Sequence, residues 1–169
     1  MTAGEASQPE LPAPRFQIHL TTGGWQAVRK VVDGRLRDGD RDLVLHLAVC
    51  REHGEAIVGP PARSSLAALP EPAVESAMCD EIGWARENGP PEYLVLTSAR
   101  AWLFFATHRI ASKIDAGAWA AARDAEPAVI EAALARQRGA AATIPTHAAE
   151  RFAERVERLI RRAEARTAK

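Results

Sequence analysis

The side chains with chemical potential are few. Arg100 lies inside the run Leu94–Phe105, whose apolar residues cover nearly every side of a helix. A guanidinium carried into a core must be paired, and one reading gives it a core carboxylate such as Glu92 or Asp115. Lys113 reads as a solvated charge at a helix start, and Ser112-Lys113 lacks the S-x-x-K spacing of a serine nucleophile. His46 and His53 are seven residues apart and share a helix face with Cys50, a metal-compatible spacing. Without a fourth ligand these three read as half-buried helix residues. Arg161, Arg162 and Arg166, offset by Glu157 and Glu164, read as a solvated basic helix face.

The elements that must position these groups follow from composition and pattern. The chain has 169 residues, with 22 basic and 22 acidic side chains and a formal charge of zero. That length suits one domain with a short arm and buries enough surface to need no staple. Charge neutrality argues against a nucleic-acid partner. No apolar run reaches the roughly 18 residues of a membrane span, and no signal-peptide pattern is read at the N-terminus. Cys50 and Cys79 sit among apolar neighbours and read as buried thiols of a cytoplasmic chain. The 35 Ala and 19 Arg, with few β-branched residues, favour helix.

Met1 to Pro14 has no apolar period and reads as a disordered arm. Phe16 to Leu20 alternates apolar and polar residues, the mark of a strand, yet no sheet is evident for it to join. Trp25 to about Val32 reads as a short helix ending at Gly34. Asp40 or Asp42 offers an N-cap to a helix through Cys50, with Gly54 closing it. Beyond about Glu71 the pattern predicts five helices, over about 72–88, 92–107, 112 onward, 126–138 and 146 onward, with the tail from Arg161 fraying. Ser112 with Asp115 three residues on is a capping-box pattern. In the last helix Phe152, Val156, Leu159, Ile160 and Ala163 recur at helical spacing. The fold class is therefore mainly α: a helical bundle of about five to seven helices with a short N-terminal strand.

Leu94-Val-Leu-Thr-Ser-Ala-Arg100 followed by Ser112-Lys113-Ile-Asp-Ala-Gly117-Ala-Trp119-Ala120, with Gly39-Asp40-Arg-Asp42-Leu-Val-Leu-His46 and Gly54 to Pro61 upstream and Gln137-Arg138-Gly139 downstream, forms an ordered set. It resembles the helical C-terminal domain of the streptomycin/spectinomycin-type aminoglycoside adenylyltransferases. The resemblance spans about Phe16 to Gly139. It implies a division into 1–14 as arm, 15–145 as the adenylyltransferase C-terminal-like helical domain and 146–169 as an amphipathic helix. In that family a nucleotidyltransferase domain carries a Gly-Ser loop, an Asp-x-Asp metal pair and a glutamate base. The helical domain closes over ATP and holds the drug. This sequence has no Gly-Ser loop followed by Asp-x-Asp; Asp38-Gly-Asp40 and Asp40-Arg-Asp42 fall where the family has a pre-helix turn. By resemblance Phe16–Leu20 would be the family's final sheet strand.

The resemblance implies that Arg100 and Lys113 contact ATP phosphates, as a guanidinium and an ammonium facing one polyphosphate would. Trp25, after Gly24 and before Gln26, corresponds to the indole that packs on the drug; an ordinary core role is the alternative. Where the family has drug-holding acids this chain has Gly89-Pro90-Pro91-Glu92-Tyr93. Only Glu92, with Tyr93 beside it, remains to meet a cationic drug, and Glu92 also suits a helix N-terminus. His108 stands where the family ends its long helix with glycine, and Gly117 and Trp119 match its close helix packing. The implied cofactors are ATP and Mg²⁺, with no catalytic residue assigned in this chain. Three readings follow: a part of a larger adenylyltransferase, which alone should not catalyse AMP transfer; a free-standing small-molecule-binding module; or a helical subunit that docks on a separate nucleotidyltransferase domain, with a homodimer as a further way to cover the strand.

Overall fold

The computed structural model describes residues 1–21 and 30–167. Among them are eight α-helices and one two-stranded sheet. Two of the helices, α1 (Ala3–Ser7) and α3 (Ala62–Ser65), are single turns. The longer ones are α2 (Asp42–His53), α4 (Glu71–Asn88), α5 (Pro91–Thr107), α6 (Lys113–Ala121), α7 (Ala128–Gln137) and α8 (Thr146–Thr167). The chain is mainly α, as its pattern predicts. It divides into two compact units, Met1–Ala77 and Met78–Lys169.

In the first unit, the expected arm contains α1, whose turn is closed by a Thr2–Glu5 capping box. The Thr2 backbone N–H donates to Glu5 and Gln17 adds its amide, which holds the Glu5 carboxyl down at a pKa of about 2. The strand expected to stand alone has a partner. β1 (Ile18–Thr21) pairs antiparallel with β2 (Lys30–Asp33), Leu20 facing Val31. The helix expected to reach Val32 is thus corrected at its end, where Val31 and Val32 prefer a pleated surface; residues 22–29, Trp25 among them, lie outside the described residues. Asp33 then caps the 3-10 turn Gly34–Leu36. Asp40 accepts the Asp42 N–H at 3.0 Å at the entry to α2. Both cysteines are exposed, against the expectation of buried thiols, because each occupies the outward side of its helix.

The second unit is built around α5. Leu94, Val95, Leu96, Ala99, Ala101, Leu103 and Phe104 are buried, and α6, α7 and α8 all pack on this helix. Pro91 opens it at the first helical position. His108 closes it in the left-handed region at φ 55°, the conformation a C-terminal glycine would take more readily. Ser112 caps α6 through the Asp115 N–H. Gly117 lets α6 come close: a Cβ there would lie 2.8 Å from Leu96 Cδ2 and 2.8 Å from Leu134 Cδ2. α8 buries Ala149, Phe152, Ala153, Val156 and Ile160. Its helix continues to Thr167 rather than fraying from Arg161, since Arg, Glu and Ala are good helix formers.

Candidate functional site

Arg100, Lys113 and Tyr93 converge on one carboxylate, that of Glu81. Arg100 Nη2 donates to Glu81 Oε2. Tyr93 Oη donates to Glu81 Oε1 at 3.0 Å, and Lys113 Nζ lies 3.3 Å from the same oxygen. The Lys113 ammonium also sits 3.4 Å from the centroid of the Tyr93 ring. Trp84 meets the Tyr93 ring edge-on at 5.8 Å between centroids.

Local structure explains the convergence. Tyr93, Thr97 and Arg100 are four and three residues apart on α5 and so share one face. The Ser112 cap fixes where α6 starts and so sets Lys113 as its first residue. On α4, Met78, Glu81, Ile82 and Ala85 follow i, i+3, i+4, i+7, the spacing of a buried stripe. Met78 and Ile82 are 1% exposed, and the Glu81 side chain is 8% exposed. The carboxylate is thus delivered to the interior by the same stripe that docks the helix.

The cluster holds two cations, a phenol and one acid. Among the described residues the Arg100 Nε and the Thr97 and Ser98 hydroxyl oxygens are buried without a hydrogen-bond partner. Buried polar atoms of this kind are rare, and each asks for an acceptor or donor that the chain itself does not provide. All three polar partners of Glu81 present donors, so the cluster is complementary to an anion.

Two expectations are corrected here. Arg100 pairs with Glu81, not with Glu92 or Asp115, because α5 turns its guanidinium toward α4. Lys113 is not a solvated charge; its side chain is 21% exposed and engaged with Glu81 and Tyr93. Glu92 instead meets Arg136 of α7, Nε to Oε1 at 3.1 Å, with its side chain 18% exposed. The structure therefore gathers Arg100, Lys113 and Tyr93, holds Glu92 in a separate ion pair, and leaves Trp25 outside the described residues. Glu81 is the residue that sequence reasoning missed. Its signal was an acid standing on the apolar stripe of α4.

Other acids and arginines brace the helices. Arg86 reaches Glu157 at 2.7 Å and Glu150 at 3.1 Å, and these bonds, Glu157 first, raise the guanidinium pKa. Arg155 grips Asp124, whose side chain is 3% exposed. His46 is engaged by Asp42 at 3.0 Å, and no cluster of three metal-ligating side chains occurs among the described residues. No helix among them is long and apolar enough to cross a membrane.

The sequence also has recognisable relatives. Residues 66–165 match the family described as aminoglycoside adenylyltransferase, C-terminal domain. The chain is 34% identical over 103 residues to aminoglycoside (3'') (9) adenylyltransferases of Klebsiella pneumoniae, Shigella flexneri and Escherichia coli. Each match covers 55% of this chain and 38% of the length of the relative.

Proposed function

This chain belongs to the aminoglycoside adenylyltransferase family through its C-terminal domain, and from that premise we propose that its second unit holds the polyphosphate of ATP between Arg100 and Lys113. In a complete assembly the reaction would be AMP transfer from ATP to a hydroxyl of a cationic, aminoglycoside-like acceptor in the cytoplasm, a basis for antibiotic resistance. The unit would supply binding and orientation rather than the chemical step. By the same resemblance Glu92 and Tyr93 would face the acceptor. A separate nucleotidyltransferase domain would supply the acids that hold Mg²⁺.

The observation that carries the reading is the convergence of two cations from different helices on one acid, with a further buried guanidinium N–H left over. Such a set fits a polyphosphate. A guanidinium offers a planar pair of donors, an ammonium a compact charge, and together they balance an anion that no single cation would. The fit stops at the phosphates, since the described residues gather no metal-binding acids.

Calorimetric titration of the full chain with Mg²⁺–ATP and with streptomycin tests this. Heat of ATP binding is expected below millimolar ligand, with Arg100→Ala and Lys113→Ala each weakening it about tenfold or more. Absence of any heat or thermal shift at millimolar ATP would sink the reading.

A specific observation also favours docking. Ile18, Leu20 and Val31 lie on one face of the β1–β2 hairpin and are 68%, 51% and 61% exposed. Apolar residues grouped on a sheet face invite a partner, here a nucleotidyltransferase domain or a second copy of the chain. Sedimentation of the wild-type chain is expected to show concentration-dependent association that Leu20→Lys abolishes. A monomer at all concentrations, with no retention of a nucleotidyltransferase domain, argues against docking through this face.

A further inference from the structure

We propose that Glu81 is a built-in competitor for the anion, a carboxylate that a polyphosphate must displace from Arg100 and Lys113. The inference rests on reading that pair as anion-binding and adds the residue that sets its affinity. Both oxygens of Glu81 are spent on the cluster, Oε2 on Arg100 and Oε1 on Tyr93 and Lys113. These are the donors that a phosphate oxygen would take, and a carboxylate and a phosphate cannot occupy them together. If Glu81 stayed in place, the incoming anion would face a like charge at short range in a site with little water to screen it.

Exchange has a gain as well as a cost. Glu81 offers two oxygens and leaves the buried Arg100 Nε without an acceptor. Thr97, on the same α5 face as Tyr93 and Arg100, has a buried hydroxyl in the same condition. A polyphosphate presents more acceptors than one carboxylate and is able to serve donors that Glu81 does not reach. Glu81 thus keeps two cations compatible with a low-dielectric interior in the unliganded chain and yields them to a ligand of higher charge. Affinity is then the difference between two charge-assisted sets of bonds rather than the full strength of one.

The test is titration of the full-length chain with sodium tripolyphosphate, comparing wild type, Glu81→Gln, Glu81→Asp and Arg100→Ala. Glu81→Gln is expected to bind about tenfold more tightly than wild type, since the amide is a weaker competitor. Glu81→Asp, one methylene too short to hold both cations, is expected to tighten binding about threefold. Arg100→Ala is expected to abolish it. The aspartate variant keeps the charge, so the test stands on it even if the glutamine variant unfolds. A residue that merely positions the two cations would give weaker binding in both Glu81 variants, and that result would overturn the proposal. If wild type binds and both variants bind equally well, competition is likewise refuted while the Arg100–Lys113 reading survives. If no protein binds tripolyphosphate, both fall.

Discussion

Replacing Phe152 with alanine is expected to lower the unfolding free energy by about 4 kcal/mol, a large part of what holds a domain of this size together. Phe152 is 1% exposed and lies on α8, which packs along α5. Its neighbours on the buried stripe are Ala149, Ala153 and Val156, all at 0% exposure. Small residues on both sides bring the helices close but have no long side chains to fold into the space a ring would leave. The cavity would persist, and persistence makes large-to-small changes expensive. The Arg155 guanidinium also lies 5.4 Å from the Phe152 ring centroid. Losing that contact adds up to about 1 kcal/mol and loosens an arginine that otherwise grips Asp124. Urea unfolding followed by helical circular dichroism checks this: the midpoint should fall while the slope is kept. A loss under about 1 kcal/mol would mean that α8 docks loosely on α5, and the second unit would have no tight core.

Most of that core was legible because the helices announce themselves. Phe152, Val156 and Ile160 stand at helical spacing between arginines and glutamates, and the run Leu94–Phe105 is apolar all round. Gly89-Pro90-Pro91, Ser112 and Gly139 punctuate the chain by local backbone chemistry, so helix ends fell within about two residues. The hairpin was half legible. β1 showed its alternation, but β2 is short, and the choice between helix and strand for Val31 and Val32 is made by pairing across the sheet. The exposure of Cys50 and Cys79 is not legible in sequence, because apolar neighbours in sequence point to all sides of a helix.

The candidate site was legible by its cations and illegible by its anion. Arg100 stood out because a charge inside an apolar helix demands a partner. The partner lies nineteen residues back, on another helix, and spacing along one chain does not say which faces meet. Glu92 and Asp115 were nearer in sequence, but Glu92 is drawn to Arg136 and Asp115 to the Ser112 cap. The readable clue was Glu81 itself. An acid at a core position of α4 is costly unless a cation waits there, and Arg100 and Glu81 are each other's explanation.

That mutual dependence sets the second large effect. Glu81→Ala is expected to cost about 3 kcal/mol, because it strands a guanidinium whose side chain is 12% exposed and removes one of the groups that engage Lys113. Arg100→Met alone should cost less, about 2 kcal/mol, because Lys113 and Tyr93 still serve the Glu81 carboxylate. The pair replaced together, Glu81→Leu with Arg100→Met, should recover part of the loss, since apolar side chains of similar volume need no desolvation offset, and it should stay short of wild type because Lys113 and Tyr93 also lose the acceptor they share. The double-mutant cycle measures the coupling directly. Single variants that each cost under 1 kcal/mol would show that the carboxylate is not held as described. The ligand adds a second measurement. Tripolyphosphate at a hundredfold its dissociation constant should return about 2.7 kcal/mol to Glu81→Ala, because the anion takes over the cations that Glu81 left. It should return nothing to the apolar pair, which has lost Arg100. An apolar pair that is fully stable yet unable to bind would mean that this ion pair is kept for the anion it can exchange rather than for the fold.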